Sequence, residues 1–585
     1  MLPDGLPFRE VWAVDFEFIG ADGEHPVPAC MVALELRSGR LLRYWQDELR
    51  RMRSPPIPMD SSALYVAYAA PAEFSCHLVL GWPLPERVLD LYVEFCRLTN
   101  GRTHPLGTAL LAALAAYGLD GMQSDEKKAM RELILSGGPW DAAERTAILD
   151  YCESDVRALK RLLPKMVGDM FRTPGDLERA LLRGRYMCAV ARMERRGVPI
   201  DVGTLARLRD GWEAIQDRLI AAVDSEYQVY DGRTFKADRF AAYLIRERIP
   251  WPRLDSGALA LDGDTFRDMA KAHPQITALR ELRHSLGELR LNDLAVGQDG
   301  RNRVALMPFR SRTGRNQPSN SRFIFGPSTW LRGLIKPEPG RAVSYVDWAA
   351  QEVGIAAALS RDVRYQTAYK SGDPYLSFAK EVGLAPAHAI RQSHKVVRDQ
   401  MKALVLGANY GMGPGSLAAR IGVPEIRARH LQEAHRRTYP RLYDWLEAAV
   451  DHAMVYGYLE TVFGWKLHAG EGANPRSLQN FPCQANGAEM MRLACSAATE
   501  AGLAVCCPIH DALLVEADLA DIDVATEALR EIMEASSRAV LDGFTIRTDA
   551  EIVRAPHRYM DPRGAAMWQQ VRQLLASEKS DARAG

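Results

Sequence analysis

Arg398 and Lys402 stand four residues apart, and Tyr410 follows eight residues later, in Arg-Asp-Gln-Met-Lys-Ala-Leu-Val-Leu-Gly-Ala-Asn-Tyr-Gly. On a helix these three share a face, because steps of four drift only slowly around the axis. Arg391 and Lys395 extend the row backwards, so a line of cations runs towards a Tyr-Gly end. Guanidinium and ammonium groups beside an aromatic ring suit phosphates with a base or sugar packed on the ring, and a nucleoside triphosphate is the simplest ligand that fits. A charge row alone also suits a solvated helix face, so the rest of the chain decides.

The carboxylates supply the second half of that chemistry. Val343-Ser-Tyr-Val-Asp347 reads as a short strand ending in Asp347, and Ala504 to Glu516 reads as two apolar strands with His510-Asp511 at a hairpin tip. Two strand ends can present two aspartates together. Such a pair calls for cations between them, and two Mg²⁺ ions about 4 Å apart are the arrangement that supports in-line phosphoryl transfer. A further set lies near the N-terminus. In Asp15-Phe-Glu17 the period of two puts both carboxylates on one face of a strand, and Tyr151 and Asp155 are one helical turn apart. Either pair alone would also suit a solvated edge; together they are enough for a two-metal nuclease site.

The order of these features resembles family A DNA polymerases, the bacterial DNA polymerase I-like enzymes. Arg398-x3-Lys402-x7-Tyr410-Gly411 is similar to the family's fingers-helix motif. Thr313-Gly314-Arg315 resembles its Thr-Gly-Arg, and Asp347-x4-Glu352 resembles its motif A. Arg476, Asn480 and Gln484 fall on its Arg, Asn and Gln positions, and Ile509-His510-Asp511 looks like motif C. The likeness covers Leu177 to Asp549 and includes Met193-Glu-Arg-Arg-Gly-Val-Pro-Ile-Asp201. The N-terminal residues resemble a DEDD-type 3′-5′ exonuclease with a tyrosine.

The resemblance implies an α/β multidomain protein, an RNase H-like 3′-5′ exonuclease domain followed by a right-hand polymerase with thumb, palm and fingers. The expected boundaries are 1–172 for the exonuclease, 177–300 for the thumb, 301–372 and 456–576 for the two palm segments, 373–455 for the fingers and 577–585 for a frayed tail. Asp347 and Asp511 would hold two Mg²⁺ at the polymerase site. Arg398 and Lys402 would bind the incoming dNTP, with Lys402 placed to protonate the leaving pyrophosphate, and Tyr410 would pack near the nascent base pair. Glu352 would crowd the sugar 2′ position and exclude ribose. Arg315, Asn480 and Gln484 offer donors to minor-groove acceptors of primer-template DNA. At the exonuclease site Asp15, Glu17, Glu73 and Asp155 would hold two more Mg²⁺ and Tyr151 would orient the attacking water.

Several positions depart from the family pattern. Ala512 stands where motif C continues with Glu, Leu406 where an aromatic is usual, Ala349 and Ala350 where Ser and Gln are common, Gly354 where Arg is common, and Tyr375 where His is expected. Ala69-Ala-Pro-Ala-Glu73 replaces Asn-x3-Asp in the nuclease motif, with Asp90 the next candidate ligand. A divergent, phage-like branch is the expectation. The alternatives are a polymerase with an inactive exonuclease scaffold and a catalytically silent primer-template binding protein.

Composition bounds the class without choosing within it. The 585 residues carry no formal net charge and are 47% hydrophobic, so there is material for several cores and no basic coat, although a local basic groove remains compatible. The nine cysteines show no Cys-x2-Cys pair, so reduced thiols without zinc are expected. No apolar run approaches the ~20 residues of a membrane span. A cytoplasmic monomer, in a bacterial cell or a phage-infected host, is the expectation, with replication helicase, primase and single-stranded DNA-binding protein as partners in DNA replication.

Overall fold

Strand β1 (Glu10–Ile19) starts from four consecutive residues, Val11 to Val14, that are all fully buried. An unbroken apolar run of this kind marks a strand covered on both faces. The computed structural model describes residues 6–584 apart from 103–105, 122–123, 255, 288–290, 327 and 471. With β2 (Val27–Glu35), β3 (Leu41–Trp45), β4 (Ala63–Ala67) and β5 (Val88–Asp90), β1 forms a sheet of order 3-2-1-4-5. The β1–β2 and β2–β3 pairs are antiparallel, whereas β4 runs parallel to β1 and β5. Val88 opens the short strand β5, where Val88 and Leu89 are buried beside β4.

Helices α1 (Pro71–Val79), α2 (Leu91–Thr99), α3 (Ser124–Leu135), α4 (Ala142–Met170) and α5 (Asp176–Arg196) accompany this sheet. A reciprocal cap starts α4: Asp141 accepts from the Glu144 N–H at 2.8 Å and Glu144 from the Asp141 N–H at 2.9 Å. Residues 171–175 connect α4 to α5. Gly184 lets α5 run close over β5, since a Cβ there would sit 2.1 Å from the Val88 carbonyl oxygen.

The polymerase-like part centres on a four-stranded sheet. Strand β6 (Arg341–Trp348) is followed by α6 (Gln351–Ser360), α7 (Lys395–Asn409) and α8 (Pro475–Glu500), then by β7 (Ala504–Ile509), β8 (Ala512–Asp518), α9 (Ile522–Val540) and β9 (Thr548–Arg554). The strand order is β7-β8-β6-β9. Helix α8 is buried around most of its circumference, and packs on α5, α6 and α9.

The chain divides into two compact units. One comprises Met1–Arg196, Leu306–Gln317 and Val343–Ile552; the other comprises Gly197–Ala305, Pro318–Ala342 and Val553–Gly585. Both candidate sites fall within the first, as does α5, which the expected 177–300 thumb would have included. The second unit has its own aromatic cluster, with Phe240 and Trp251 ring centres 4.9 Å apart, and a buried Arg332–Asp561 ion pair at 2.6 Å. A final helix, Ala565–Ala584, runs through most of the expected tail, which is rich in good helix formers. Among the described residues no helix is long and apolar enough to cross a membrane, and all nine cysteines are buried free thiols.

Candidate functional site

Asp347 and Asp511 meet at neighbouring strand ends. His510 adopts φ +51° and closes a two-residue turn between Ile509 and Ala512, so Asp511 sits at the tip of the β7–β8 hairpin. The Trp348 N–H donates to the Asp511 carbonyl at 3.1 Å, tying that tip to the end of β6. On the other side, the Ala349 N–H donates to Arg547 O at 2.8 Å, and stepping two residues inward along antiparallel strands sets Asp549 opposite Asp347. Cross-strand partners have Cβ atoms about 5 Å apart. Burial, then Asp511, Asp549 and Glu551, push the Asp347 carboxyl up to about 6. Burial also raises Asp511, against the lowering fields of His510, Arg315 and Lys402. The site therefore disfavours its own negative charge until a cation arrives, and its hard oxygen donors suit Mg²⁺.

Ala512, where motif C continues with Glu, is completely buried in β8. Asp549 was not singled out by the sequence reading. Its signal was the period-two acidic pair Asp549 and Glu551 on the last strand.

Helix α7 carries Lys395, Arg398 and Lys402. Arg391 precedes the helix and Tyr410 terminates it, so the cation row is shorter than the spacing suggested. Arg398 is not a bare cation: it forms a close ion pair with Asp373, and its guanidinium lies 5.2 Å from the centre of the Tyr375 ring. Lys402 Nζ lies 6.0 Å from the same centre. Tyr375, in the expected histidine position, is thus a buried platform under both cations.

Glu352, Tyr410 and Gln484 are directly connected. The Tyr410 hydroxyl donates to Glu352 Oε1 at 2.6 Å, Gln484 Nε2 donates to the Tyr410 hydroxyl at 3.0 Å, and Gln484 also bonds Glu352. Arg315 lies nearby; burial pulls its guanidinium below the usual range, while Glu352 and Asp511 oppose that shift. Its loop is fixed by Gly314 at φ +73°, where a Cβ would come within 3.1 Å of Trp465, and by Arg492, which donates to Gly314 O at 2.7 Å. Asn480 stands on α8 one turn before Gln484, with a buried Oδ1 that has no hydrogen-bond partner. Gly354 stands where Arg is common, and a Cβ there would meet the Ile546 side chain at 2.9 Å and the Tyr369 ring at 3.1 Å.

The N-terminal carboxylates also converge. Asp15 and Glu17 from β1 and Asp155 from α4 offer one oxygen each, all within 4.8 Å of one another. Burial first, then Asp155, push Asp15 up to about 8; burial, then Asp15, push Glu17 up to about 10. The Cys152 thiol donates to Asp15 Oδ2 at 3.2 Å. Tyr151 is buried beside them, its hydroxyl raised by burial and by Asp155. Glu73 lies outside this close group, although Asp15 raises its pKa after burial does, and its Oε2 is buried without a hydrogen-bond partner. Asp90 is not a free ligand: its oxygens accept from Ala69, Ala70, Tyr92 and Val93 N–H at 3.1, 2.8, 2.9 and 3.4 Å, so it caps α2. Lys127 was also missed by the sequence reading; its Nζ is 2.8 Å from Asp155 Oδ2.

Comparison with known proteins fits this geometry. Residues 322–553 match the family model described as DNA polymerase family A. The chain is 24% identical over 460 residues to the thermostable DNA polymerase I of Thermus aquaticus, covering 72% of this chain and 52% of that protein. It is 24% identical over 454 residues to DNA polymerase I of Deinococcus radiodurans, covering 72% of this chain and 45% of that one. The chain thus spans about half the length of these curated relatives. Its fold matches the polymerase domain of Pol1 from M. smegmatis, solved with DNA primer-template and dNTP, with a TM-score of 0.69 at 18% identity over 96% of this chain and 97% of that one. The family match thus falls on the segment that carries Asp347, Lys402 and Asp511.

Proposed function

We propose that the chain is a DNA-templated DNA polymerase that extends a primer 3′ end with dNTPs, with a 3′-5′ exonuclease in its N-terminal domain. The observation that carries the polymerase reading is the tie between the β6 end and the hairpin tip, which brings Asp347 and Asp511 together in the field of Lys402. When bound by these carboxylates, Mg²⁺ would supply the charge that activates the primer hydroxyl and steadies the triphosphate.

The chain's own groups do the rest. Arg398 exchanges part of its pairing with Asp373 for triphosphate oxygens, while the Tyr375 ring keeps it from swinging away. Lys402, exposed and with its field reaching Asp511, binds phosphate and delivers a proton to the departing pyrophosphate. The Glu352–Tyr410–Gln484 group walls off the sugar's 2′ side, where a ribose hydroxyl would clash. Arg315 and Asn480 offer polar atoms to the minor groove of the last base pairs.

In the nuclease, Asp15, Glu17 and Asp155 form an oxygen donor set suited to Mg²⁺, and the unpartnered Glu73 oxygen is available if its side chain moves in. Tyr151 would orient the attacking water. The 3-2-1-4-5 sheet supports an RNase H-like reading of this domain.

A 5′-labelled primer on a template tests both activities. With the single complementary dNTP the primer should lengthen by one residue, and without dNTPs it should shorten. Equal incorporation of all four dNTPs opposite one template base would reject templated synthesis. Absence of shortening would reject the nuclease.

A further inference from the structure

The nuclease carboxylates share their pocket with a cation that the chain supplies. Lys127 reaches in from α3, with Nζ 2.8 Å from Asp155 Oδ2 and 5.6 Å from the centre of the Tyr151 ring. Its neighbour Lys128 follows the usual surface pattern, 77% exposed and 3.9 Å from Glu132 one turn along. Lys127 keeps 27% of its side-chain exposure, so burial does not force it inward. What turns it inward is charge: three carboxylates with oxygens within 4.8 Å of one another repel, and an ammonium among them offsets part of that repulsion. Its positive field reaches Asp15 and Glu17 as well.

A divalent cation bound to the same Asp155 oxygen cannot share it with an ammonium at hydrogen-bond distance, because the two cations repel and compete for one lone-pair region. We propose that Lys127 is a built-in counter-ion of the Asp15–Glu17–Asp155 site, holding Asp155 in the metal-free protein and yielding it when a divalent cation binds. It is a positioning residue: it keeps Asp155 and Tyr151 in place before the metal arrives. The proposal rests on the nuclease reading only in taking these carboxylates to be a metal site.

Mn²⁺ titration of the full chain, with free ion followed by electron paramagnetic resonance, tests this apart from any activity. The ions lost in Asp15→Asn identify those belonging to this site. Lys127→Met, which keeps most of the side-chain volume without the charge, should bind them at least about tenfold more tightly, as expected for removing one nearby unit charge. Lys127→Arg should bind like the unaltered protein. Unchanged or weaker binding in Lys127→Met, or the absence of any Asp15-dependent ion, would overturn the proposal. Failure of the unaltered chain to shorten a single strand would reject the nuclease reading, and the Mn²⁺ titration would still decide the role of Lys127.

Discussion

At the scale of single residues, the two α7 cations are not equivalent. Arg398 is already committed to Asp373 and stacked on Tyr375, whereas Lys402 is exposed and acts on Asp511. Arg398→Ala should chiefly weaken dNTP binding, and Lys402→Ala should chiefly slow the chemical step by on the order of 100-fold, about 3 kcal/mol of barrier. Single-turnover kinetics over a range of dNTP concentrations separates the two; equal effects on both parameters from both substitutions would contradict the division. Glu352 is hydrogen-bonded by Tyr410 and Gln484, which fixes its carboxylate where the proposed site would receive the sugar. Glu352→Ala should raise ribonucleotide incorporation by roughly tenfold or more relative to dNTP, and unchanged selectivity would remove its role. Asp549, opposite Asp347 across the strands, should act more weakly: Asp549→Ala should raise the Mg²⁺ needed for half-maximal extension without abolishing it.

At the scale of elements, a buried charge cluster holds α5 to α2. Arg183 donates to Glu94 at 2.6 and 3.0 Å, and Arg97 donates to the same carboxylate at 2.9 Å. Burial would raise the Glu94 carboxyl, but Arg183 and Arg97 outweigh it and hold it below its usual range. An acid so depressed contributes stability above its unfolded pKa of about 4.5, and that contribution is lost as pH falls through the lower folded value. Glu94→Gln should therefore destabilise the chain by about 3 kcal/mol at pH 7, because it strands two buried guanidinium groups. The deficit should shrink as pH falls below about 4.5 and through the lower folded value, as thermal or urea melts would show. Gly184→Ala should also destabilise, since its Cβ cannot fit against Val88 without moving a strand. Much at this scale was legible in the sequence. The α7 helix, the β7–β8 hairpin and the strand carrying Asp15 and Glu17 each follow from local period and turn chemistry. The pairing of Asp347 with Asp549, the turn of Lys127 towards Asp155 and the platform under Arg398 were not legible, because each joins residues distant in sequence through packing that has no local period. Asp90 misled for the opposite reason: a carboxylate before a helix reads equally as a ligand or a cap, and only its four backbone donors decide.

At the scale of the molecule, both carboxylate sites lie within one compact unit but draw on different strands, helices and side chains, with no ligand in common. Loss of one proposed activity should leave the other intact. The Asp347–Asp511 pair is the centre of the account. Its test is primer extension by Asp347→Ala and Asp511→Ala beside the unaltered chain, with single-strand shortening measured in the same preparations. Extension should fall by more than about 100-fold in each variant, at least roughly 3 kcal/mol in barrier, while shortening persists. Extension within tenfold of the unaltered rate in either variant would contradict the assignment of those two aspartates, and with it the proposed polymerase site.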